Sequence, residues 1–186
     1  MGTASVILAE GCEEGEALTI IDILRRCEID VKATGLGNEE IKGAHDIVIR
    51  CDEVLSEESD PDVVILPGGY GGVDAMKESE LLRRILTKRN DEGKLIAAIC
   101  AAPTALDAYG LLEGKTYTCY PTVAGECRQG NCVSEKMVSD GNLITARGPA
   151  LAYAFAYKIA DALGADSLSV KKRMVYFNAF DVKEDE

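Results

Sequence analysis

The chain has no tryptophan, one histidine and three phenylalanines among its 186 residues. A single imidazole, His45, excludes every metal site that needs two, such as HExxH, and leaves few ways to build a Cys-His couple. No apolar stretch reaches the roughly eighteen residues that a membrane helix requires. Basic residues are also scarce, with 20 Lys and Arg against 32 Asp and Glu for a net charge of −12. Such a surface repels phosphate backbones and anionic headgroups. The only dense basic cluster, Lys171, Lys172 and Arg173, reads as a solvated helix face, so neither a nucleic acid nor a membrane is an expected partner. Five prolines and 18 scattered glycines are too few for a collagen-like or low-complexity chain.

The seven cysteines, Cys12, Cys27, Cys51, Cys100, Cys119, Cys127 and Cys132, show no CxxC spacing. There is no Asn-x-Ser/Thr acceptor, and the start MGTASVILAEG has neither a cationic leader nor, with Val6 in the place of Ser or Thr, a myristoylation pattern. An odd number of thiols without these features predicts a reducing, cytoplasmic setting. Cys119, Cys127 and Cys132 share one irregular stretch, a candidate thiolate cluster whose spacing matches no common zinc pattern. No metal and no cofactor are expected.

Apolar runs bounded by turn signals alternate with segments of helical period, which predicts an α/β fold around a mostly parallel sheet, within one domain over 1–186. Strands are expected at 4–9, 29–35, 62–66 and 94–99, with an edge-type strand at 46–50 and hairpins within 116–146. Helices are expected from Glu16 to Arg26, where Ala17, Ile20, Ile21 and Leu24 recur at helical spacing, and from about Glu78 to Asp91. Others are expected from Pro103 to Tyr109, from Pro149 to Ala162 and from Ser167 to Tyr176. The acidic end at 183–186 reads as a frayed tail.

Ligands of open α/β sheets bind beyond the carboxyl ends of the strands, which directs attention to EGCEEGE (10–16), PGGYGG (67–72) and CAAP (100–103). Cys100 stands between a buried strand and a helix opened by Pro103, the strand–turn–helix setting of a nucleophile elbow. Backbone N–H groups and a helix start there predict a lowered thiol pKa. Glu16 is a candidate proton carrier if the first strand lies beside the cysteine's strand. The PGGYGG turn offers N–H groups to an oxyanion. It is not a dinucleotide loop, because Asp74 stands where the third glycine belongs, and GKT at 114–116 has neither the glycine spacing nor the preceding strand of a P-loop. His45, ahead of the edge strand, reads as structural.

With AAICAAPTAL at 97–106, LPGG at 66–69, EGCEEGE at 10–16 and SDG…LITARGP at 139–149, the chain resembles the ThiJ/PfpI superfamily. The likeness is greatest to its Parkinson-disease protein deglycase, or glyoxalase III-like, branch. It implies a flavodoxin-like three-layer sandwich of the class I glutamine amidotransferase type, usually a homodimer. It also implies a reactive cysteine at Cys100, a partner carboxyl at Glu16 and backbone donors at Gly69 and Ala101. Gly68, Tyr120 and Arg147 would complete the pocket, Arg147 near a dimer interface. The implied activities are cofactor-free conversion of methylglyoxal to lactate, removal of early glycation adducts, and redox sensing through a cysteine sulfinate. A chaperone-like dimer is a third reading. Protease-like members carry a histidine after the nucleophile; Ala101 stands there instead, which removes the base a Cys-His peptidase needs. Tyr120 occupies a position where some close relatives have a pocket histidine.

Overall fold

The computed structural model describes residues 2–179. The tail expected at 183–186 lies outside them. The chain runs β1 (Thr3–Leu8), α1 (Glu14–Arg26), β2 (Asp30–Gly35), β3 (Glu40–Lys42), β4 (Val48–Arg50), β5 (Glu53–Val54) and β6 (Val63–Leu66). It continues through α2 (Tyr70–Glu78), α3 (Glu80–Asp91), β7 (Leu95–Ile99), α4 (Pro103–Ala108), β8 (Thr116–Tyr117) and β9 (Asn131–Cys132). β10 (Met137–Asp140), β11 (Leu143–Ala146), α5 (Ala152–Ala162) and α6 (Ser167–Arg173) complete it.

Seven strands form one sheet in the order β10-β11-β7-β6-β1-β2-β5. All neighbours are parallel except β10 and β11, which meet antiparallel through the Asp-Gly turn. Strand residues alternate between two cores, as the period of two requires. Val6, Leu8, Val63, Ile65, Ala97 and Ile99 join Ile20 and Leu24 of α1 and Phe155 and Ile159 of α5. Ile7, Val64, Leu66, Ile96 and Ala98 join Leu82 and Leu86 of α3 and Leu106 of α4. Helices therefore cover both faces, and the runs that read as continuously apolar are buried on both sides. This is the expected three-layer α/β sandwich.

The strand order reverses at β1, which lies between β2 and β6. Such a switch point leaves a crevice beyond the carboxyl ends of the two strands. The loops that follow β1, β6 and β7 all open there. Arg89, 2% exposed, fixes the opposite end of the sheet: it donates to the carbonyls of Pro61, Asp62 and Leu95 and pairs with Asp60 at 3.2 Å.

Several expectations need correction. The strand expected at 46–50 is not an edge of the main sheet. Val48–Arg50 instead pairs antiparallel with Glu40–Lys42, with only Ile41 and Ile49 buried, and this hairpin docks on the loop after β1. Gly11 N–H donates to Lys42 O at 2.8 Å and Ala44 N–H to Cys12 O at 2.9 Å. α1 begins at Glu14, so both Glu14 and Glu16 lie inside it and are buried. The helix expected from about Glu78 to Asp91 is α3, which starts at Glu80 after Ser79, whose hydroxyl caps it by accepting from Leu82 N–H; the helix before it, α2, was not expected. α2 was masked by its glycines, which weaken helical propensity. Gly72 is there for space: a Cβ would lie 2.7 Å from Cys12 Cα. A 3-10 turn at Pro149–Leu151 precedes α5, and α6 stops at Arg173 rather than Tyr176, with Val175 left-handed at φ 56°.

Candidate active site

Cys100 is the first residue beyond β7 and has φ 61°, a left-handed conformation that β-carbon sterics disfavour. Neighbouring backbone holds it there: its N–H donates to Ala146 O of β11 at 2.9 Å, and its carbonyl accepts from Tyr120 N–H at 2.8 Å. Ala97, Ala98, Ala101 and Ala102 are all buried around it and keep the turn close to the sheet. Strain of this kind, worth about 1–3 kcal/mol, persists where the surroundings enforce it and clusters at functional sites.

Glu16, in the first turn of α1, is fully buried. Its Oε2 accepts from Gly68 N–H at 2.6 Å, its carboxyl hydrogen-bonds the Cys100 thiol, and its Oε1 has no hydrogen-bond partner among the described residues. Burial, opposed by the Gly68 N–H and the thiol, pushes this carboxyl up to about 7. The Ala101 and Gly69 N–H groups point at the Cys100 sulfur. The expected low thiol pKa is not what this arrangement gives. Burial and then the charge of Glu16 outweigh the two N–H groups and push the thiol up to about 12. α4, with six residues, supplies too little dipole to reverse this. Cys100 and Glu16 are thus one acid–base unit, in which the carboxyl beside the thiol is the group placed to take its proton when a thiolate forms.

Gly68 lies where these groups converge. A Cβ on it would stand 2.6 Å from Cys100 Cβ and 2.8 Å from Glu16 Oε2. Gly69 follows at φ 89° and turns the chain into α2.

The thiol opens into a cavity of about 260 Å³ lined by Glu13, Ala44, His45, Gly69, Tyr70, Cys100, Ala101 and Tyr120. Tyr70 OH shares a hydrogen bond with Thr122 Oγ1 at 2.8 Å, which ties α2 to the turn after Tyr120 across the mouth. His45, expected to be structural, ties the hairpin to α1 and also reaches the cavity. The docked hairpin carries it to the cavity, where its N–H donates to Glu14 Oε1 at 2.7 Å and its Nδ1 lies 3.1 Å from Glu14 Oε2. The Glu14 hydrogen bond and the charges of Glu13 and Glu14 raise its pKa, favouring an imidazolium at the mouth. Among the described residues, Glu13, Glu14 and His45 form a group with metal-ligand chemistry and spacing. Their atoms already satisfy one another.

Of the residues singled out in the sequence, Cys100, Glu16, Gly68, Gly69, Ala101 and Tyr120 meet here. Arg147 does not line this cavity. It donates to Ser134 O at 3.3 Å and lines an adjoining hollow with Lys136 and Pro149, and Tyr120 is the wall between the two. Sequence reasoning missed His45 and Glu13 as lining residues. Tyr70 lay inside the PGGYGG turn but carried no signal of its own.

A doubly wound sandwich with a strained cysteine directly after β7, facing a buried carboxyl and two backbone donors, is the architecture of a cysteine-elbow protein. The model of the DJ-1/PfpI family matches residues 3–162, and the chain belongs to that family, in its DJ-1 branch. It is 46% identical to Protein dj-1beta of Drosophila melanogaster over 166 residues, covering 87% of this chain and 89% of that protein. It is 32% identical to the Glutathione-independent glyoxalase DJR-1.2 of Caenorhabditis elegans, covering 83% and 84%. The crystal structure of Drosophila melanogaster DJ-1beta matches with a TM-score of 0.90 and 42% identity, covering 94% of this chain and 97% of that one.

Proposed function

We propose that the protein acts without a cofactor on small reactive dicarbonyls, converting methylglyoxal and water to lactate, with removal of early glycation adducts as an extension of the same chemistry. The observation that carries this reading is the Cys100 thiol held against the buried, protonatable Glu16 carboxyl, beside the Gly69 and Ala101 N–H groups. A relative named as a glutathione-independent glyoxalase supports it.

In this reading the Cys100 proton passes to Glu16 and the thiolate attacks the aldehyde carbon. The Gly69 and Ala101 N–H groups hold the resulting oxyanion until Glu16 returns the proton, giving a hemithioacetal. The Glu16 carboxylate then removes the proton from the former aldehyde carbon and delivers it to the adjacent carbonyl carbon, while the hemithioacetal hydroxyl proton passes to the oxygen on that second carbon, leaving a lactoyl thioester. Water hydrolyses the thioester to lactate and regenerates the thiol. No electrons leave the substrate, so no redox cofactor is needed. Tyr120 and His45 are among the polar side chains that line the cavity, and in this reading they orient the substrate oxygens. A homodimer and a cytoplasmic setting belong to the proposal, the latter supported by seven free thiols.

The experiment is lactate formation from methylglyoxal at neutral pH without glutathione or added metal. Wild type is expected to turn over and Cys100→Ser to lose at least about a thousandfold in kcat/KM; turnover retained in Cys100→Ser overturns the reading.

A second reading, protection through oxidation of Cys100 to the sulfinate, is favoured by one observation. Glu16 Oε1 is buried without a partner among the described residues, and a protonated Glu16 beside two N–H donors would hold a sulfinate oxygen well. That reading expects two oxygens gained at Cys100 alone among the seven cysteines.

A further inference from the structure

Away from the cavity floor, the three cysteines of the irregular stretch come together. Cys119 is buried just beyond β8, and Cys132 ends β9 beside it, with the two Sγ atoms 3.6 Å apart. The parallel pairing of Tyr117 with Cys132 sets this approach. Cys127 reaches back from the intervening loop, where its sulfur hydrogen-bonds both the Cys119 thiol and the Tyr117 hydroxyl. The loop is held in this shape by Asp107, whose Oδ1 accepts from Arg128 N–H at 3.0 Å and Gln129 N–H at 2.9 Å. Cys119 therefore has a thiol neighbour on each side.

A metal site is the obvious use for three thiols, and the distances argue against it. Zinc–sulfur bonds of about 2.3 Å put the ligand sulfurs of one ion within roughly 4 Å of one another. Cys119, Cys127 and Cys132 do not form a group whose ligand atoms all lie within 4.8 Å, although each is among the described residues. A chain of two adjacent thiol pairs sharing a central member fits disulfide exchange instead. A bond of about 2.05 Å is reached from 3.6 Å by a small movement of loop side chains.

The geometry points to a second thiol centre, distinct from Cys100, in which Cys119 is the common disulfide partner of Cys127 and Cys132 and is closed reversibly by peroxide. Cys127, only partly buried, is the thiol that meets the oxidant. The hydrogen bond from Cys119, with that from Tyr117, brings its pKa down to about 7 against its burial, and the same contact, with burial, raises Cys119. The direction of both shifts favours the thiolate on the outer sulfur, Cys127, over the inner one. The Cys127 thiolate attacks one peroxide oxygen, breaking the O–O bond to give a sulfenic acid and, after protonation, one water from hydrogen peroxide. The Cys119 sulfur then attacks the Cys127 sulfur, its proton leaves with the sulfenic oxygen as a second water, and the S–S bond closes; the two electrons have gone to the peroxide. Cys132 can next attack Cys119, releasing Cys127 as thiolate. A dithiol reductant reverses either product by exchange. The ring closes one residue before Tyr120, a wall of the Cys100 cavity.

The test uses the Cys100→Ser protein, so that its outcome is independent of the dicarbonyl reading. The reduced protein is treated with a few equivalents of hydrogen peroxide, free thiols are blocked by alkylation, and the non-reduced digest is mapped by mass spectrometry. Expected are intramolecular cross-links of the Cys119 peptide to Cys127 or Cys132, lost on adding dithiothreitol. Cys127→Ser should slow their appearance at least about tenfold, and Cys119→Ser should abolish them while leaving Cys127 to run on to the sulfinate. Because the first map needs no change within the cluster, misfolding of those variants does not blunt it. Recovery of Cys119, Cys127 and Cys132 as alkylated free thiols, or disulfides that omit Cys119, overturns the proposal.

Discussion

Glu16→Gln is expected to lower lactate formation from methylglyoxal by about 10²–10⁴-fold, the usual worth of a positioned acid–base group, while making the folded protein more stable above neutral pH. Both effects have one origin. Glu16 is buried, and its carboxyl holds its proton up to about 7 rather than the ordinary 4.5. Below pH 4.5 the carboxyl is neutral in folded and unfolded chains alike and costs nothing. Between pH 4.5 and about 7 the unfolded carboxyl ionises while the folded one resists, so stability falls as pH rises. Above pH 7 the full penalty, about 3 kcal/mol, is carried by the fold. Glutamine keeps an oxygen for the Gly68 N–H and removes the charge. Denaturant unfolding should therefore show Glu16→Gln gaining stability at pH 8 and little at pH 4. Activity should follow the opposite course: in wild type kcat/KM rises as pH passes about 7, when the Cys100–Glu16 unit keeps a single proton to pass between its members. That rise should vanish in the variant. An unchanged pH profile would mean that Glu16 only fills space.

Gly68→Ala is the second large effect. The added methyl would stand 2.6 Å from Cys100 Cβ, 2.8 Å from Glu16 Oε2 and 3.0 Å from Cys100 Sγ, distances that side chains do not tolerate. Neither neighbour has room to move, since Glu16 is walled in and the Cys100 backbone is held at both N–H and carbonyl. Relief must come from separating thiol and carboxyl or from moving the 67–69 turn. A displacement of about 1 Å at reacting groups costs on the order of a hundredfold in rate, and overpacking of this kind costs about 1–3 kcal/mol in stability. Gly125→Ala, with nothing within 4 Å of the new Cβ, is the matched control and should stay near wild type in both. Equal activity in the two alanine variants would show that the contact between Cys100 and Glu16 is not needed.

The parts of this molecule legible in the sequence were those written in contiguous residues. VVIL and LIAAI announce strands buried on both faces, the Ala17–Leu24 spacing announces α1, and a cysteine between LIAAI and Pro103 announces an elbow. The pairing of Glu16 with Cys100 was expected only if β1 lay beside β7; the fold instead puts β6 between them, and the two side chains meet across the turn after β6, with Gly68 at the junction. What stayed hidden depends on distant contacts. α2 starts on glycines whose purpose is the close approach to Cys12. His45 reaches the cavity only because the β3–β4 hairpin leaves the sheet and docks on the loop after β1. The thiol pKa went the other way from expectation because burial acts on the thiolate more strongly than two N–H groups do, and because Glu16, 84 positions earlier in the chain, adds its charge. Local turn chemistry gives the donors, and only packing gives the desolvation.

The central claim is that Cys100 carries the substrate covalently while Glu16 moves its proton. It is tested most directly by mixing isotopically labelled methylglyoxal with excess protein, quenching in acid before one turnover is complete, and locating the label by peptide mass. The account predicts an acid-stable lactoyl thioester on Cys100 in wild type, none in Cys100→Ser, and none in Glu16→Gln, which has no carboxyl to take the thiol proton or to move the proton between the two carbons. Lactate released with no label ever on Cys100, or a thioester accumulating equally in Glu16→Gln, would contradict it.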